Sequence, residues 1–166
     1  DLMCEPHPED LFRGQAGSLC YREVAKGTPA DWNLLVRRTV EAIREEDRDT
    51  PIIVNSTGWA YPHTFDYLDL VADPRTVYSV HFYAPHYYTH QKPGDHRAYP
   101  GFVDPEEPGR RWDKPVVEEK LSPVCRYQQK YNVPIFSGEF GCARYAPGAL
   151  QWFRDQMDLY DQWGWS

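Results

Sequence analysis

The sequence predicts an α/β fold built on a parallel sheet. Three observations carry this: short unbroken apolar runs of strand length, longer amphipathic segments between them, and the recurrence of strand, helix, strand, helix along 166 residues. Strands covered on both faces lose polar alternation, and Ile52-Ile53-Val54 and Pro134-Ile135-Phe136 show none. No sequence-level repeat is visible.

Leu2-Met3 reads as the tail of a strand, followed by a loop rich in Pro, Gly and charge from Pro6 to Gly27. Thr28-Pro29-Ala30-Asp31 then gives a helix start, with a hydroxyl cap, Pro at the first helical position and an acid at the positive end of the dipole. Trp32, Leu35, Val36, Val40 and Ile43 form its apolar stripe, which runs to about Glu46. Ile52 to Asn55 is a buried strand and Gly58-Trp59 a turn. A short helix around Phe65 to Val71 leads to a strand from Val77 to Tyr83. Ala84 to Asp113, crowded with Pro, Gly, His and Tyr, is long enough to be functional rather than a connector. Val117, Leu121 and Val124 mark a helix from Val116 to Tyr131, and Pro134-Ile135-Phe136 is the next strand. Leu150, Phe153, Met157 and Tyr160 mark a last helix from Pro147 to about Asp161, and Gly164-Trp165-Ser166 opens another strand.

A net charge of −7 makes nucleic acid and anionic membrane poor partners. The purely apolar runs are only a few residues long, far below the ~20 that a membrane-crossing helix requires. Aromatics are 15% of the chain, more than a core of this size needs, and flat rings are what sugars stack on. Ordinary packing in core and loops accounts for most of them. The chain has no basic leader, lacks an initiator Met and begins in mid-motif, as an excised or partial sequence does.

Cys4, Cys20, Cys125 and Cys142 lack CxxC pairing and disulfide-scaffold density, so free, mostly buried thiols are expected, with one disulfide at most. His86 and His90 have the spacing of a helical zinc pair, yet Pro85 precedes them and no Glu lies between as HExxH demands. Cys4 and His7 are only two candidate ligands, so no metal is expected.

Asp1-Leu2-Met3-Cys4-Glu5-Pro6 and Ser137-Gly138-Glu139-Phe140-Gly141 each put a Glu just past a short apolar run, where a parallel strand gives way to a loop. Cleaving a glycosidic bond takes two carboxyl groups in different protonation states around one oxygen. Val80-His81-Phe82-Tyr83 sets His81 and Tyr83 on one face of a third strand. An open doubly wound sheet and part of a (β/α) barrel both fit the element order. The barrel is favoured: no Gly-rich phosphate loop is present, and the polar candidates fall at C-terminal strand ends. The bland readings are solvated surface carboxylates for Glu5 and Glu139, a satisfied core pair for His81 and Tyr83, and plain packing for Trp59 and Tyr87.

These three motifs, in order and spacing, resemble those of glycoside hydrolase family five, the cellulase A family. Its D-L-x-N-E-P is matched at Asp1 to Pro6, its H-x-Y at His81 to Tyr83, and its G-E-F-G at Gly138 to Gly141. The resemblance implies a partial (β/α)8 TIM barrel over residues 1–166, covering about strand four to the start of strand eight. A barrel of ~250 residues would be short by about a third, so the isolated chain is expected to be inactive and poorly soluble. By the family pattern Glu5 is the general acid/base and Glu139 the nucleophile. Tyr83 donates to Glu139 and keeps it ionised, and His81 contacts sugar and carboxylate. Trp59 and Tyr87 or Tyr88 are stacking platforms.

Cys4 stands where the family has an Asn that contacts the sugar 2-hydroxyl, and a thiol donates only weakly. The implied activity is retaining cleavage of a β-linked glucan without a cofactor, foremost by an endo-β-1,4-glucanase acting on poly- or oligosaccharide. A β-mannanase, xylanase or β-1,3-glucanase of the same family, a carbohydrate-binding homologue weakened by Cys4, and a metal-dependent hydrolase are the alternatives. A full-length monomer and a secreted or extracytoplasmic location are expected.

Overall fold

A computed structural model describes residues 1–12 and 18–166, with side chains for all of these but 12 and 18–20. Its centre is a parallel sheet of β1 (Ile52–Asn55), β2 (Thr76–Phe82) and β3 (Ile135–Phe140), in that order. Around it lie α1 (Ser18–Ala25), α2 (Trp32–Glu46), single turns α3 (Thr57–Ala60) and α4 (His86–Thr89), α5 (Lys114–Tyr131) and α6 (Ala149–Trp163). A parallel sheet with flanking helices is the core of the predicted architecture. The flanking segments hydrogen-bond to its two edges: Leu2 donates its amide to the Ile53 carbonyl at 3.0 Å, and Ser166 bridges Ile135 and Ser137 on the opposite edge.

α2 is amphipathic as predicted, but Asp31 caps it by accepting from the Leu34 amide at 3.0 Å. Thr28 instead closes its own turn, donating to the Ala25 carbonyl. Trp32, Val36 and Val40 are buried, and the Trp32 indole donates to the Asn55 carbonyl at 2.9 Å, pinning the helix to the end of β1. Leu35 stays largely exposed, so the buried stripe is narrower than the sequence suggests. The described part of the supposed loop from Pro6 to Gly27 contains a 3-10 turn at Pro8–Phe12 and the helix α1. Tyr21 and Ala25 pack with Ala30 in a small cluster of their own, which the surrounding charged residues disguise in the sequence. The helix expected around Phe65 to Val71 is a 3-10 turn over Pro62–Tyr67.

α5 is capped by Asp113, whose side chain accepts from the Val116 amide, and buries Val117, Leu121 and Val124. α6 turns inward a face that overlaps the predicted one only in part: Trp152, Asp155, Gln156, Leu159 and the predicted Tyr160 are buried and Phe153 is half-buried, whereas Leu150 and Met157 are exposed. The register follows from Gly148, where a Cβ would lie 1.7 Å from the Tyr99 carbonyl oxygen, and from the Tyr99 hydroxyl donating to buried Asp155 at 2.7 Å. Between β2 and α5, the long segment folds back on itself through an antiparallel bridge between Gly101 and Trp112. Tyr99, Val103 and Trp112 belong to the main core. No helix among the described residues is long and apolar enough to cross a membrane.

An irregularity near the C-terminal end of the sheet positions its polar side chains. β3 runs on through Ser137, Gly138 and Glu139, and the pairing passes from Val80 opposite Ser137 to His81 opposite Glu139. Gly138 is the extra residue of this bulge. A side chain there would meet Ser79 Oγ at 2.4 Å and His81 Nε2 at 3.0 Å, so glycine is required for β2 and β3 to approach.

Candidate active site

The bulge sets Glu139 against His81, and an unusual main-chain path brings Glu5 to the same place. Glu5 has φ +48°, in the left-handed region. The preceding segment is held by Asn55, whose Nδ2 donates to the Met3 carbonyl at 2.8 Å and contacts the Asp1 carboxylate. Imidazole His81, only 4% exposed, places Nδ1 3.0 Å from Glu5 Oε1 and 3.6 Å from Glu139 Oε2. One ligand atom from each of Glu5, His81 and Glu139 lies within 4.8 Å of the other two. The two carboxylates therefore face each other across a few ångströms.

Each carboxylate has its own partners. The Tyr83 hydroxyl donates to Glu139 Oε2 at 3.0 Å. Burial and that same carboxylate push Tyr83 up to about 12, so it remains a protonated donor at neutral pH. Cys4 Sγ lies 3.7 Å from Glu139 Oε1, and desolvation followed by the charges of Glu139 and Glu5 raises its pKa. Cys4 is exposed and Cys125 and Cys142 are half-buried, so the thiols are more accessible than the sequence suggested; the Cys20 side chain lies outside the described residues. All three described thiols are free.

Glu5, His81, Tyr83 and Glu139 line a cleft of about 550 Å3. One wall is Trp59, 45% exposed, on a turn where Gly58, Trp59 and Ala60 all have φ between +56° and +59°. Left-handed backbone at non-glycine residues costs roughly 1–3 kcal/mol each. The turn is held by the Trp59 amide donating to the Pro6 carbonyl and the Gly58 amide to Glu9 Oε2, both at 3.3 Å. Its indole stacks on His7 with centroids 4.9 Å apart. Tyr61 adds apolar surface beside it.

His86 and His90 form another wall, their rings stacked at 3.9 Å. Burial and the neighbouring His86 lower the pKa of His90, which favours its neutral form.

Of the residues singled out in the sequence, Cys4, Glu5, Trp59, His81, Tyr83 and Glu139 gather here. Tyr87 does not line the cleft; its hydroxyl donates to Glu106 Oε1 at 3.0 Å. On the turn α4, positions 86 and 90 share a face and 87 is rotated ~100° away. Tyr88 is fully buried. Sequence reasoning overlooked Tyr61 and weighed His86 and His90 only as metal ligands, although four-residue spacing already puts both on one side.

Two facing carboxylates at the C-terminal end of a parallel sheet, beside an exposed Trp, form the arrangement expected of a (β/α) glycoside hydrolase. The chain matches the family described as "Cellulase (glycosyl hydrolase family 5)" over residues 1–165, and it belongs to that family. It is 25% identical over 167 residues to Endoglucanase C of Acetivibrio thermocellus, covering 85% of this chain and 49% of that protein. Among solved structures, one described as a glycoside hydrolase aligns over 99% of this chain and 46% of its own length, with 28% identity and a TM-score of 0.70. The endoglucanase Cel5A of Thermotoga maritima aligns over 84% of this chain and 46% of its own, with 25% identity and a TM-score of 0.68. The chain thus spans about half the length of these relatives.

Proposed function

We propose that residues 1–166 supply both catalytic carboxylates of a retaining endo-β-1,4-glucanase, as the part of a (β/α)8 barrel from strand four to the start of strand eight. The observation that carries this reading is the approach of Glu5 and Glu139, with ligand atoms within 4.8 Å. Retaining enzymes hold their carboxyls ~5–5.5 Å apart, and inverting ones ~6.5–9.5 Å to admit a water. Glu139, hydrogen-bonded by Tyr83, attacks the anomeric carbon while Glu5 gives its proton to the departing glycosidic oxygen. Water then attacks the glycosyl-enzyme ester; Glu5 takes the water's proton, and Glu139 leaves as carboxylate.

Glucan is the preferred substrate because the matched relatives are named endoglucanases and because Trp59 and Tyr61 offer flat apolar surface to sugar rings. A polymer of that kind is met outside the cell, which supports a secreted protein; a monomer is the expected state, since both carboxylates come from this one chain. Cys4 offers a weaker donor to the substrate than an amide.

The test follows hydrolysis of a β-1,4-glucan oligosaccharide by proton NMR in the full-length polypeptide carrying these residues. The first product is expected as the β-anomer, before mutarotation. An initial α-anomer would mean inversion and refute the mechanism.

A further inference from the structure

Glu5 and Trp59 reach the cleft on separate chain segments, and a side chain that does not line the cleft touches both. His7 Nδ1 lies 2.7 Å from the Glu5 carbonyl oxygen. A carbonyl only accepts, so this nitrogen carries a ring proton and donates it. The same ring lies almost flat on the Trp59 indole, 12° from parallel. The His7 carbonyl in turn accepts from the Asp10 amide at 3.2 Å, which seats the residue on the 3-10 turn that follows it.

Both contacts fall where the backbone is strained. Glu5 has φ +48° and stands before Pro6, where extended backbone is the local preference. Trp59 has φ +59°. Left-handed residues of this kind persist only where their surroundings hold them. The hydrogen bonds from the Trp59 and Gly58 amides hold the main chain of that turn and leave the indole ring free to rotate about its side-chain bonds. Because Trp59 lines the cleft and His7 does not, the indole face opposite His7 is the one that meets a sugar.

We propose that His7 is a positioning residue with two separable tasks: its ring fixes the Trp59 indole as a sugar platform, and its Nδ1–H holds the Glu5 main chain so that the acid/base carboxyl stays beside His81. The second task rests on the hydrolase reading; the first requires only that the cleft bind glycan.

Two substitutions in the full-length polypeptide separate the tasks. His7→Phe keeps a flat ring for the indole and loses the donor, whereas His7→Asn keeps an N–H near the place of Nδ1 and loses the ring. His7→Phe should lower kcat about three- to tenfold, as for one hydrogen bond, with KM unchanged. His7→Asn should raise KM about two- to tenfold, as for one aromatic pair, with kcat unchanged. Binding is measured apart from turnover by calorimetry with a cello-oligosaccharide in a Glu139→Gln background. There His7→Asn should weaken affinity by the same factor, His7→Phe should not, and His7→Asn should add nothing once Trp59 is Ala. Equal losses in both variants that follow a lowered melting temperature would make His7 merely structural and overturn the proposal. Additive effects of His7→Asn and Trp59→Ala would overturn the platform task, and an unchanged kcat in His7→Phe would overturn the Glu5 task; either result leaves a working glucanase intact. A wild-type protein that binds the oligosaccharide without cleaving it, with the His7→Asn loss present, would refute the hydrolase and uphold the platform task.

Discussion

The two ends of the parallel sheet are built to different rules. At the N-terminal end, polar groups are paired. Arg44 donates to both oxygens of Asp73, at 2.8 and 3.2 Å, and to the carbonyls of Asp47 and Thr50. Thr76 adds a third hydrogen bond to Asp73. Hydrogen bonds from the Thr50 side chain and from the Thr50 and Asp49 main chain bring Asp47 down to about 2. The left-handed residue nearest this end, Asn132, is a helix C-cap, a role that suits Asn.

At the C-terminal end, Glu5, Trp59 and Ala60 occupy left-handed backbone, Gly138 bulges β3, and two carboxylates face each other beside an exposed Trp. Strain and crowded charge would be eliminated from a surface selected for stability alone. The coincidence of strain with crowded charge at one end separates the part that holds the fold from the part available for chemistry.

Substitutions at the two ends should therefore fail in different ways. The largest effect is expected at Glu139→Gln: kcat falls by roughly three orders of magnitude or more. The melting temperature holds or rises, because a charge is removed from a crowded pair. A large drop in melting temperature would make this carboxylate structural and erase the distinction. Tyr83→Phe removes a hydrogen bond to a charged acceptor, worth about 1.5–3 kcal/mol, so kcat should fall about ten- to a hundredfold. Because Tyr83 sits at about 12, the alkaline limb of the pH profile should be unchanged in that variant. A shifted limb would show that Tyr83 titrates within the working range. Trp59→Ala should raise KM about three- to tenfold through lost ring contact, with little change in kcat; an unaltered KM would reduce Trp59 to packing.

The smallest catalytic effect belongs to the opposite end. Asp73→Asn should leave kcat and KM alone and lower thermal stability at neutral pH. Hydrogen bonding from Arg44 holds the Asp73 carboxyl below the ordinary value, so its contribution is complete above the unfolded pKa of about 4 and disappears as pH falls through the folded one. The gap between wild-type and variant melting curves should persist from neutral pH to about 4 and close below it. A gap that instead changed between pH 6 and 8 would implicate another group.

The same contrast explains what could be read from the sequence. Glu5, His81, Tyr83 and Glu139 stood out because each follows or ends a short apolar run, and strand periodicity alone puts His81 and Tyr83 on one face. Helices α2 and α5 were legible from apolar residues at helical spacing. The inner face of α6 was not, because Asp155 and Gln156 are buried there and a hydrophobic count assigns them to solvent. The Gly138 bulge was hidden as well: the motif shows a permissive glycine, but only the spacing of β2 and β3 shows that it inserts a residue and rotates Glu139 toward His81. Tyr87 was misplaced for lack of a rotational setting for α4, which a Pro-rich segment does not supply.

If Glu5 and Glu139 act as acid and nucleophile across the cleft, the nucleophile can be trapped covalently. The full-length polypeptide is incubated with an activated 2-deoxy-2-fluoro cellobioside, digested, and the labelled peptide sequenced by mass spectrometry. One covalent fluoroglycosyl ester on Glu139 is the expected result, with none on Glu5. A label on Glu5 or elsewhere, or turnover of natural substrate with no trapped ester, would contradict it.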